Sequence, residues 1–413
     1  MSNTASRYAV WMILLAAAGT FALTMGTRQT MGLFLSDVNS ATGLGIANIS
    51  LAFAFGQLWW GLTQPFAGAF ADRVGAGRVL LIGVSLVALG TILTPLMTST
   101  AGLVFAIGVL AAGGAGMAGP SVLMAATTRM LPAERRGMAT GIVNAGGSFG
   151  QFIMAPVAAG LTAALGWMTS MQVLGLIVLL ALPAAWVLRG NSSAAATSAP
   201  AGVAGGPAPA REGTRAAITR ALADPSYRLL ACGFFVCGFH VAFLATHLPN
   251  VVATCGLPPS VSAWSLGLLG LFNIVGSLTM GWAVGRWRMK SLLSLVYAAR
   301  AVAVLVFLLS PKTATTMLIF AAVMGLTYLS TVPPTAGLVA KFFGPANMAT
   351  LFGIVMLSHQ IGGFTGAWLG GKVFTMTGSY DTIWIIDILL AVGAALVHMP
   401  IKEAALPPKV QPA

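Results

Sequence analysis

The sequence has very few charged residues. Only 7% of its 413 residues are charged, whereas 57% are hydrophobic, and the mean hydropathy is +0.90. A soluble globular domain carries about a quarter of its residues as Asp, Glu, Lys or Arg. The scarcity of charge therefore excludes a soluble fold and predicts an integral membrane protein.

Acidic residues and cysteines are scarcer still, with 8 Asp and Glu and 3 Cys in the whole chain. The net charge of +13 would suggest a nucleic-acid partner in a soluble protein. In a membrane protein the placement of the basic residues matters more than their sum. Cys232, Cys237 and Cys255 show neither metal-ligand spacing nor an even-numbered disulfide pattern. We therefore expect no metal, no cofactor and no nucleic-acid partner.

Catalytic motifs are also missing. The sequence contains no GxSxG, no GxxxxGK[ST] and no His, Cys and Glu cluster with metal-binding spacing. The few acidic residues lie mostly between the apolar runs. We therefore expect that the protein is not an enzyme.

Long apolar runs dominate what is present. A helix needs about 20 mainly apolar residues to cross a bilayer, and twelve runs meet that length. The first run is too long for the apolar region of a signal peptide. The sequence thus predicts an all-α integral membrane protein with twelve transmembrane helices, near residues 8–35, 48–71, 78–97, 101–130, 136–161, 167–189, 226–253, 262–284, 290–310, 313–340, 348–376 and 380–401.

Residues 190–224 interrupt the apolar pattern. The segment NSSAAATSAPAGVAGGPAPAREG has almost no apolar bulk, which is typical of a disordered stretch. The following TRAAITRALADP predicts a short amphipathic helix on the membrane surface, closed by Asp224 and Pro225. We interpret 190–224 as a linker between two six-helix halves, 1–189 and 225–413.

The basic residues predict the orientation. Of the 21 lysines and arginines, all but Arg28, Arg300, Lys312 and Lys372 fall in segments that would share one side of the membrane. Such an excess marks the cytoplasmic side. We therefore expect a multi-pass protein of the inner (plasma) membrane with both termini in the cytoplasm.

The two halves also repeat each other. MATGIV at 138–143 returns as MATLFGIV at 348–355, and GAFADR at 68–73 returns as GWAVGR at 281–286. Parallel repeats of this kind are related by an axis along the membrane normal, with a site between them. The sequence thus predicts two pseudo-symmetric six-helix bundles.

The stretch GAFADRVGAGRVL, residues 68–80, lies between the second and third runs. It resembles the GxxxDRxGxxR loop of the major facilitator superfamily, with every motif position filled. The resemblance implies the major facilitator fold and alternating access to a central site. It also implies that the loop controls the balance between access states through Gly68, Asp72, Arg73, Gly75 and Arg78.

Residues 135–150, RRGMATGIVNAGGSFG, resemble the fifth-span signature of monocarboxylate transporters, and residues 247–260 and 270–281 resemble bacterial members of that branch. This implies a monomeric secondary transporter that moves a small organic anion, with proton coupling. Two features depart from the branch. Asn273 and Ser277 stand where the animal transporters carry an Asp and an Arg, and the usual start of the first span is missing.

Two other functions stay open. A drug or metabolite efflux antiporter of the same superfamily would carry a Gly-Pro pattern in the fifth span, and here Ala155 precedes Pro156. A non-transporting membrane sensor would carry an added soluble domain, which the sequence does not display.

Charges inside spans are costly unless they face a partner or a water-filled cavity. First spans line the central cavity in the fold that this chain resembles, so Arg28 is the candidate anion ligand. The alternative is that Arg28 extends toward the membrane surface. Arg300 in the ninth span is interpreted as structural, paired with Asp387 in the twelfth, and the alternative is that Arg300 rather than Arg28 contacts the substrate.

Several polar side chains at span depth are further candidates for the substrate site, and His240 and His247 are also candidates for carrying a proton. The repeat offset sets His240 beside Arg28 on pseudo-equivalent helices. For each, the alternative is a hydrogen bond that only packs helices together. Pro333 and Pro334 predict a kink in the tenth span. The candidate contacts are His240, His247, Asn144, Asn273, Tyr328, His359 and Gln360.

Overall fold

The computed structural model of the chain describes residues 2–131, 136–189, 214–344 and 348–404. Within these ranges every regular element is helical. We label the twelve long helices α1 to α12. Their bounds are α1 Ser2–Thr30 continued by Met31–Phe34 and Leu35–Thr42, α2 Ile46–Val74, α3 Ala76–Leu96, α4 Thr100–Thr127, α5 Arg136–Leu165, α6 Trp167–Val187, α7 Pro225–Thr254, α8 Pro259–Val284, α9 Met289–Leu309, α10 Ala314–Thr327 continued by Val332–Phe343, α11 Met348–Thr377 and α12 Asp381–His398.

All twelve predicted runs fall on these helices, and ten of the helices are long and apolar enough to cross a membrane. The other two, α2 and α11, are 29 and 30 residues long but carry more polar side chains. Gln57 of α2 and Gln360 of α11 lie where these two helices face each other. Gln57 and Gln360 thus contact the facing helix and need not face lipid.

The apolar cores follow the two halves of the sequence. One cluster joins residues between Val10 and Leu188, and another joins residues between Ala221 and Ile401, with Ala155 as its one contribution from α5. The second core is rich in aromatic rings, among them Trp384, which packs edge-on against Phe243 and Phe307. Each bundle thus buries its own apolar surface.

Helix α10 is broken, as predicted, but the prolines are not inside a bent helix. The first segment ends at Thr327 and the second begins at Val332. Pro333 and Pro334 occupy the first turn of the second segment, where a missing backbone N–H leaves no helical bond unmade. The break itself leaves carbonyls free at the end of the first segment.

The described part of the predicted linker is the helix Thr214–Ala223. Ala217 and Ala221 are buried, and the Arg220 guanidinium lies 5.2 Å from the centre of the Phe343 ring. The helix therefore packs on the second bundle. Asp224 caps the start of α7 by accepting a 2.9 Å hydrogen bond from Tyr227 N. The stretch predicted to be disordered, 191–213, lies outside the described residues.

The two bundles meet along three helix pairs: α1 with α7, α2 with α11, and α5 with α8. We call the membrane face at which α1 begins the amino-terminal face, and the other the opposite face. Toward the opposite face, Ser36 Oγ donates a 2.8 Å hydrogen bond to Asn250 Oδ1. Gly371 also packs against Ser50 there. These contacts join the bundles at the opposite face.

Candidate functional site

Arg28 lies near the end of the first segment of α1 and lines a cavity between the bundles. Helices α1 to α4 form most of the wall, and α7 supplies the rest. The wall combines a few polar groups with many apolar ones: Arg28, Gln29, Met31, Gly32, Phe53, Gly56, Gln57, Val87, Thr91, Ile107, Ala111, Ala112, Ala242, Ala245 and Thr246.

The Arg28 guanidinium has no carboxylate within salt-bridge distance among the side chains that the structure describes. Its contacts are the Met25 sulfur, 3.8 Å from Nη1, and the Trp60 ring, whose centre lies 4.9 Å from Cζ. Its Nε has no hydrogen-bond partner in the described chain. A guanidinium held this way has donors free for an anion.

Tyr328 lies on the far side of this region, at the break in α10. Its hydroxyl donates a 2.9 Å hydrogen bond to the Val241 carbonyl. Gln29, the neighbour of Arg28 in α1, approaches the same hydroxyl. Tyr328 thus connects the cavity to the second bundle, although its hydroxyl is already engaged.

Arg300 and Asp387 lie in one buried cluster, and no direct ion pair joins them among the described residues. His240 lies between them. Arg300 Nη1 is 3.4 Å from His240 Nδ1, and His240 Nε2 is 3.0 Å from Asp387 Oδ1. Arg300 Nη2 also donates to the Thr327 and Tyr328 carbonyls, the second at 2.7 Å. The cation therefore caps the end of the first α10 segment, a favourable position for positive charge.

The structure does not place His240 beside Arg28. The side chain is 1% exposed and points into the core of α7–α12, whereas its neighbour Ala242 lines the cavity. The repeat offset aligns the two residues in sequence, but a rotation of about 100° per residue separates neighbouring positions on a helix. His240 is therefore part of the buried cluster.

His247 is also buried within the second bundle. Its Nε2 lies 2.7 Å from the Ala367 carbonyl, so this nitrogen carries the proton, and its Nδ1 accepts from the Tyr380 hydroxyl at 3.1 Å. Asn250 Nδ2 donates to Tyr380 at 2.8 Å. With the bond from Ser36, this chain of hydrogen bonds runs from α1 to α11 and holds His247 away from the cavity.

Asn273 joins helices. Its Nδ2 donates to Ser148 Oγ at 2.8 Å, across the α5–α8 contact, and its Oδ1 accepts from Leu329 N at 3.0 Å. The amide group of Asn273 is thus largely occupied by hydrogen bonds between helices. Asn144, one turn before Ser148 on α5, is exposed.

His359 and Gln360 lie on α11, and both are buried. The side-chain nitrogens and oxygen of these two residues have no hydrogen-bond partner in the described chain. The His359 ring packs 4.9 Å from the Phe234 ring. Gln360 packs against Gly61 of α2, so it belongs to the contact between the bundles.

The motif loop forms the turn between α2 and α3. Gly75 ends α2 and precedes α3 with a φ of 93°, a backbone conformation that favours glycine. Arg73 and Arg78 are exposed on either side. Asp72 lies in the last turn of α2, and its side chain lies outside the described part. Gly68 faces open space.

The structure adds residues that the sequence did not single out. Trp60, under the Arg28 guanidinium, and Gln29 both help to form the site. Gln29 directly follows the intramembrane Arg28, which is a signal that sequence reading can use. Nothing in the spacing of residues indicates that Trp60 of α2 meets Arg28 of α1.

The chain is similar to known transporters over nearly its whole length. The profile of the Major Facilitator Superfamily matches residues 13–367 and 230–412. Monocarboxylate transporter 13 of Rattus norvegicus is 24% identical over 94% of this chain and 89% of its own length. The uncharacterized MFS-type transporter YcxA of Bacillus subtilis is 23% identical over 94% of both chains.

Solved structures match the fold at lower identity. A mutant of the nucleoside transporter NupG superimposes with a TM-score of 0.77 at 14% identity, over 95% of this chain and 99% of that one. The inward open conformation of the xylose transporter XylE from E. coli gives 0.73 at 14% identity, over 95% and 96%. With a family profile that spans both bundles, this chain belongs to the Major Facilitator Superfamily and is a multi-pass membrane transporter, not an enzyme.

Proposed function

We propose that this transporter moves a small monocarboxylate, with Arg28 as the residue that binds the carboxylate. The observation that carries the proposal is a guanidinium without a described carboxylate partner in a cavity between the bundles. A carboxylate that leaves water must regain its hydrogen bonds, and a guanidinium supplies two in parallel. The similarity to monocarboxylate transporters supports the same substrate class.

The cavity wall favours one negative charge on a small apolar body. Arg28 is the single charged residue of the described wall, and much of the rest is apolar, such as Phe53, Val87 and Ile107. A second carboxylate on the substrate would find no cation in the described wall. Gln57 and Thr246 are the polar groups placed to contact a hydroxyl or keto oxygen.

The proposed transport mode, orientation and domain organisation are those that the sequence predicts. We propose uptake or exchange by alternating access, with proton coupling, by a monomer in the inner membrane whose amino-terminal face is cytoplasmic. Residues 1–189 and 225–413 would be the two halves, joined by 190–224. The motif residues Gly68, Asp72, Arg73, Gly75 and Arg78 would set the balance between the access states.

Purified protein in proteoliposomes tests the anion site. Arg28→Gln should weaken binding of a labelled monocarboxylate by about 10-fold to 100-fold, because hydrogen bonds to charged groups contribute about 1.5–3 kcal/mol. The affinity of Arg28→Lys should lie between those of wild type and Arg28→Gln, because lysine keeps the positive charge but lacks the planar pair of donors. Lys372→Gln, an exposed charge on α11, is the control and should bind like wild type.

Ligand-induced thermal stabilisation gives a second readout, because a ligand that binds the folded state raises the melting temperature. Unchanged affinity in Arg28→Gln would place the anion elsewhere. If wild-type protein responds to apolar cations and not to monocarboxylates, it is an efflux antiporter. If it binds a ligand but moves none, it is a sensor.

A further inference from the structure

The buried cluster of Arg300, His240 and Asp387 has no role in the anion site, yet each member is 1% exposed or less. Ionisable groups inside a membrane protein are costly and mark function more often than packing. The cluster joins α7, α9 and α12, and its hydrogen-bond geometry fixes where a proton can be added.

Arg300 determines the protonation pattern of His240. A guanidinium only donates hydrogen bonds, so His240 Nδ1, 3.4 Å from Arg300 Nη1, must accept. The imidazole proton therefore sits on Nε2, which faces Asp387. A second proton on Nδ1 would point at the guanidinium, so His240 is not the group that gains a proton while Arg300 keeps its place.

Asp387 is the one buried carboxylate among the side chains that the structure describes. Neither of its oxygens accepts a well-aligned hydrogen bond from the residues that the structure describes. The one nearby donor, His240 Nε2, lies 3.0 Å from Oδ1 and 3.2 Å from the main-chain carbonyl of Asp387, so its proton is shared. Buried charges are normally compensated more fully than this. Protonation of the Asp387 carboxylate therefore disrupts few hydrogen bonds, because at least one of its oxygens has no donor in the described chain.

We propose that Asp387 binds the coupling proton of this transporter, with His240 and Arg300 as positioning residues. The inference rests on the proposed function, since it names the proton site of the same transport cycle. Proton binding forms an O–H bond on the Asp387 carboxyl group and leaves the Arg300 charge unbalanced, so the cluster changes from neutral to +1.

The other titratable groups around the cluster are Cys237 of α7, Tyr297 of α9, Tyr328 of α10 and His359 of α11. The two tyrosine hydroxyls are engaged with main-chain carbonyls, those of Gly233 and Val241. The Cys237 sulfur lies 3.7 Å from Arg300 Nη2, and His359 approaches the same sulfur. Together these groups surround the Arg300 side of the cluster, which leaves Asp387 as its anionic end.

The break in α10 connects the cluster to the anion site. Arg300 donates to the carbonyls of Thr327 and Tyr328, and the Tyr328 hydroxyl is approached by Gln29, which lines the cavity next to Arg28. A change in the charge that balances Arg300 therefore acts on the break in α10, where Tyr328 meets Gln29 of the cavity wall. One anion at Arg28 and one proton at Asp387 together add no net charge.

Proteoliposome transport separates coupling from substrate movement. Asp387→Asn should lose uptake driven by an inward proton gradient but retain exchange of labelled for unlabelled monocarboxylate without a gradient. Asp387→Glu should restore part of the driven uptake. Asp381→Asn, an exposed carboxylate at the start of the same helix, is the matched control and should keep both activities. Parallel loss of driven uptake and exchange in Asp387→Asn, or unaltered driven uptake, would overturn the proposal.

Infrared difference spectra between neutral and acid pH test the site without any substrate. Wild type and Asp381→Asn should show the carbonyl band of a buried protonated carboxyl group, and Asp387→Asn should lack it. Absence of that band in wild type overturns the proton site even where Asp387→Asn fails to fold. Failure of wild type to exchange monocarboxylates would instead contradict the proposed function, and the infrared result would still decide on Asp387.

Discussion

The two ends of the contact between the bundles differ. At mid-depth, a Cβ on Gly270 of α8 would lie 2.6 Å from the Ser148 carbonyl oxygen of α5, and a Cβ on Gly61 of α2 would overlap Gln360 Cγ of α11. Nearer the opposite face, a Cβ on Gly371 of α11 would overlap Ser50 Oγ of α2. Toward the amino-terminal face, the corresponding positions of Gly68, Gly141, Gly281 and Gly353 all meet open space.

The open positions follow the internal repeat. Gly68 and Gly281 are equivalent in the two halves, as are Gly141 and Gly353. Gly68 lies about two turns beyond Gly61 on α2, and Gly353 lies about two turns before Gln360 on the antiparallel α11, so the two occupy one level. The same relation holds approximately for Gly141 of α5 and Gly281 of α8.

Helices α2, α5, α8 and α11 therefore pack tightly between the bundles from mid-depth toward the opposite face, whereas at the amino-terminal face they have room to approach each other. Glycines allow backbones to approach closely in membrane helix pairs. Among these glycines, Gly61 and Gly270 pack against a helix of the other bundle in this conformation. In the alternate access state, we expect Gly68, Gly141, Gly281 and Gly353 to take over this role.

The largest expected effect is where the bundles pack tightly. Gly270→Val should lower the free energy of unfolding by about 1–3 kcal/mol, because its side chain would meet the backbone of Ser148 and Phe152 in a packed contact. The melting temperature of the purified protein measures the effect. Gly281→Val on the same helix is the control, and it should leave the melting temperature of this conformation nearly unchanged. Equal losses in the two variants would refute the distinction between the ends.

Substitutions at the open end should affect the transport cycle. Gly353→Leu should slow exchange about 5-fold to 150-fold if it destabilises the alternate state by about 1–3 kcal/mol. Its melting temperature should stay close to that of wild type, because the side chain meets open space. Exchange rates in proteoliposomes provide the measurement. Wild-type exchange in Gly353→Leu, together with wild-type exchange in Gly68→Leu, would exclude close packing at this end.

A smaller effect is expected from the polar bond between α1 and α7. Asn250→Ala removes the acceptor of the Ser36 hydrogen bond and the donor to Tyr380, at a cost of about 1 kcal/mol to the closed contact at the opposite face. Spin labels at Ser40 and Pro258, both exposed at that face, should report a larger fraction of separated bundles. Asn48→Ala, which removes only a bond to Leu44 within its own turn, should leave the distances unchanged.

Periodicity and composition were enough to predict the helices. A helix in lipid must be apolar over about 20 residues, and this signal is local in sequence. The apolar runs and the break near Pro333 are encoded by residues close together in the sequence, and the repeat can be found by comparing the two halves of the sequence. The structure places helices where they were predicted. The turn at Gly75 was predictable for the same reason, since a left-handed conformation at a tight turn depends on that residue alone.

The partners of the buried polar groups were decided by tertiary structure. The repeat offset set His240 beside Arg28, and Arg300 was paired with Asp387, whereas helix rotation and packing bring His240 between Arg300 and Asp387. The reason is that hydrophobic periodicity fixes the face of a helix only when one side is polar, and these spans are apolar nearly all round. The rotation of α7 is then set by side-chain packing and by the hydrogen bonds that its buried histidines must make.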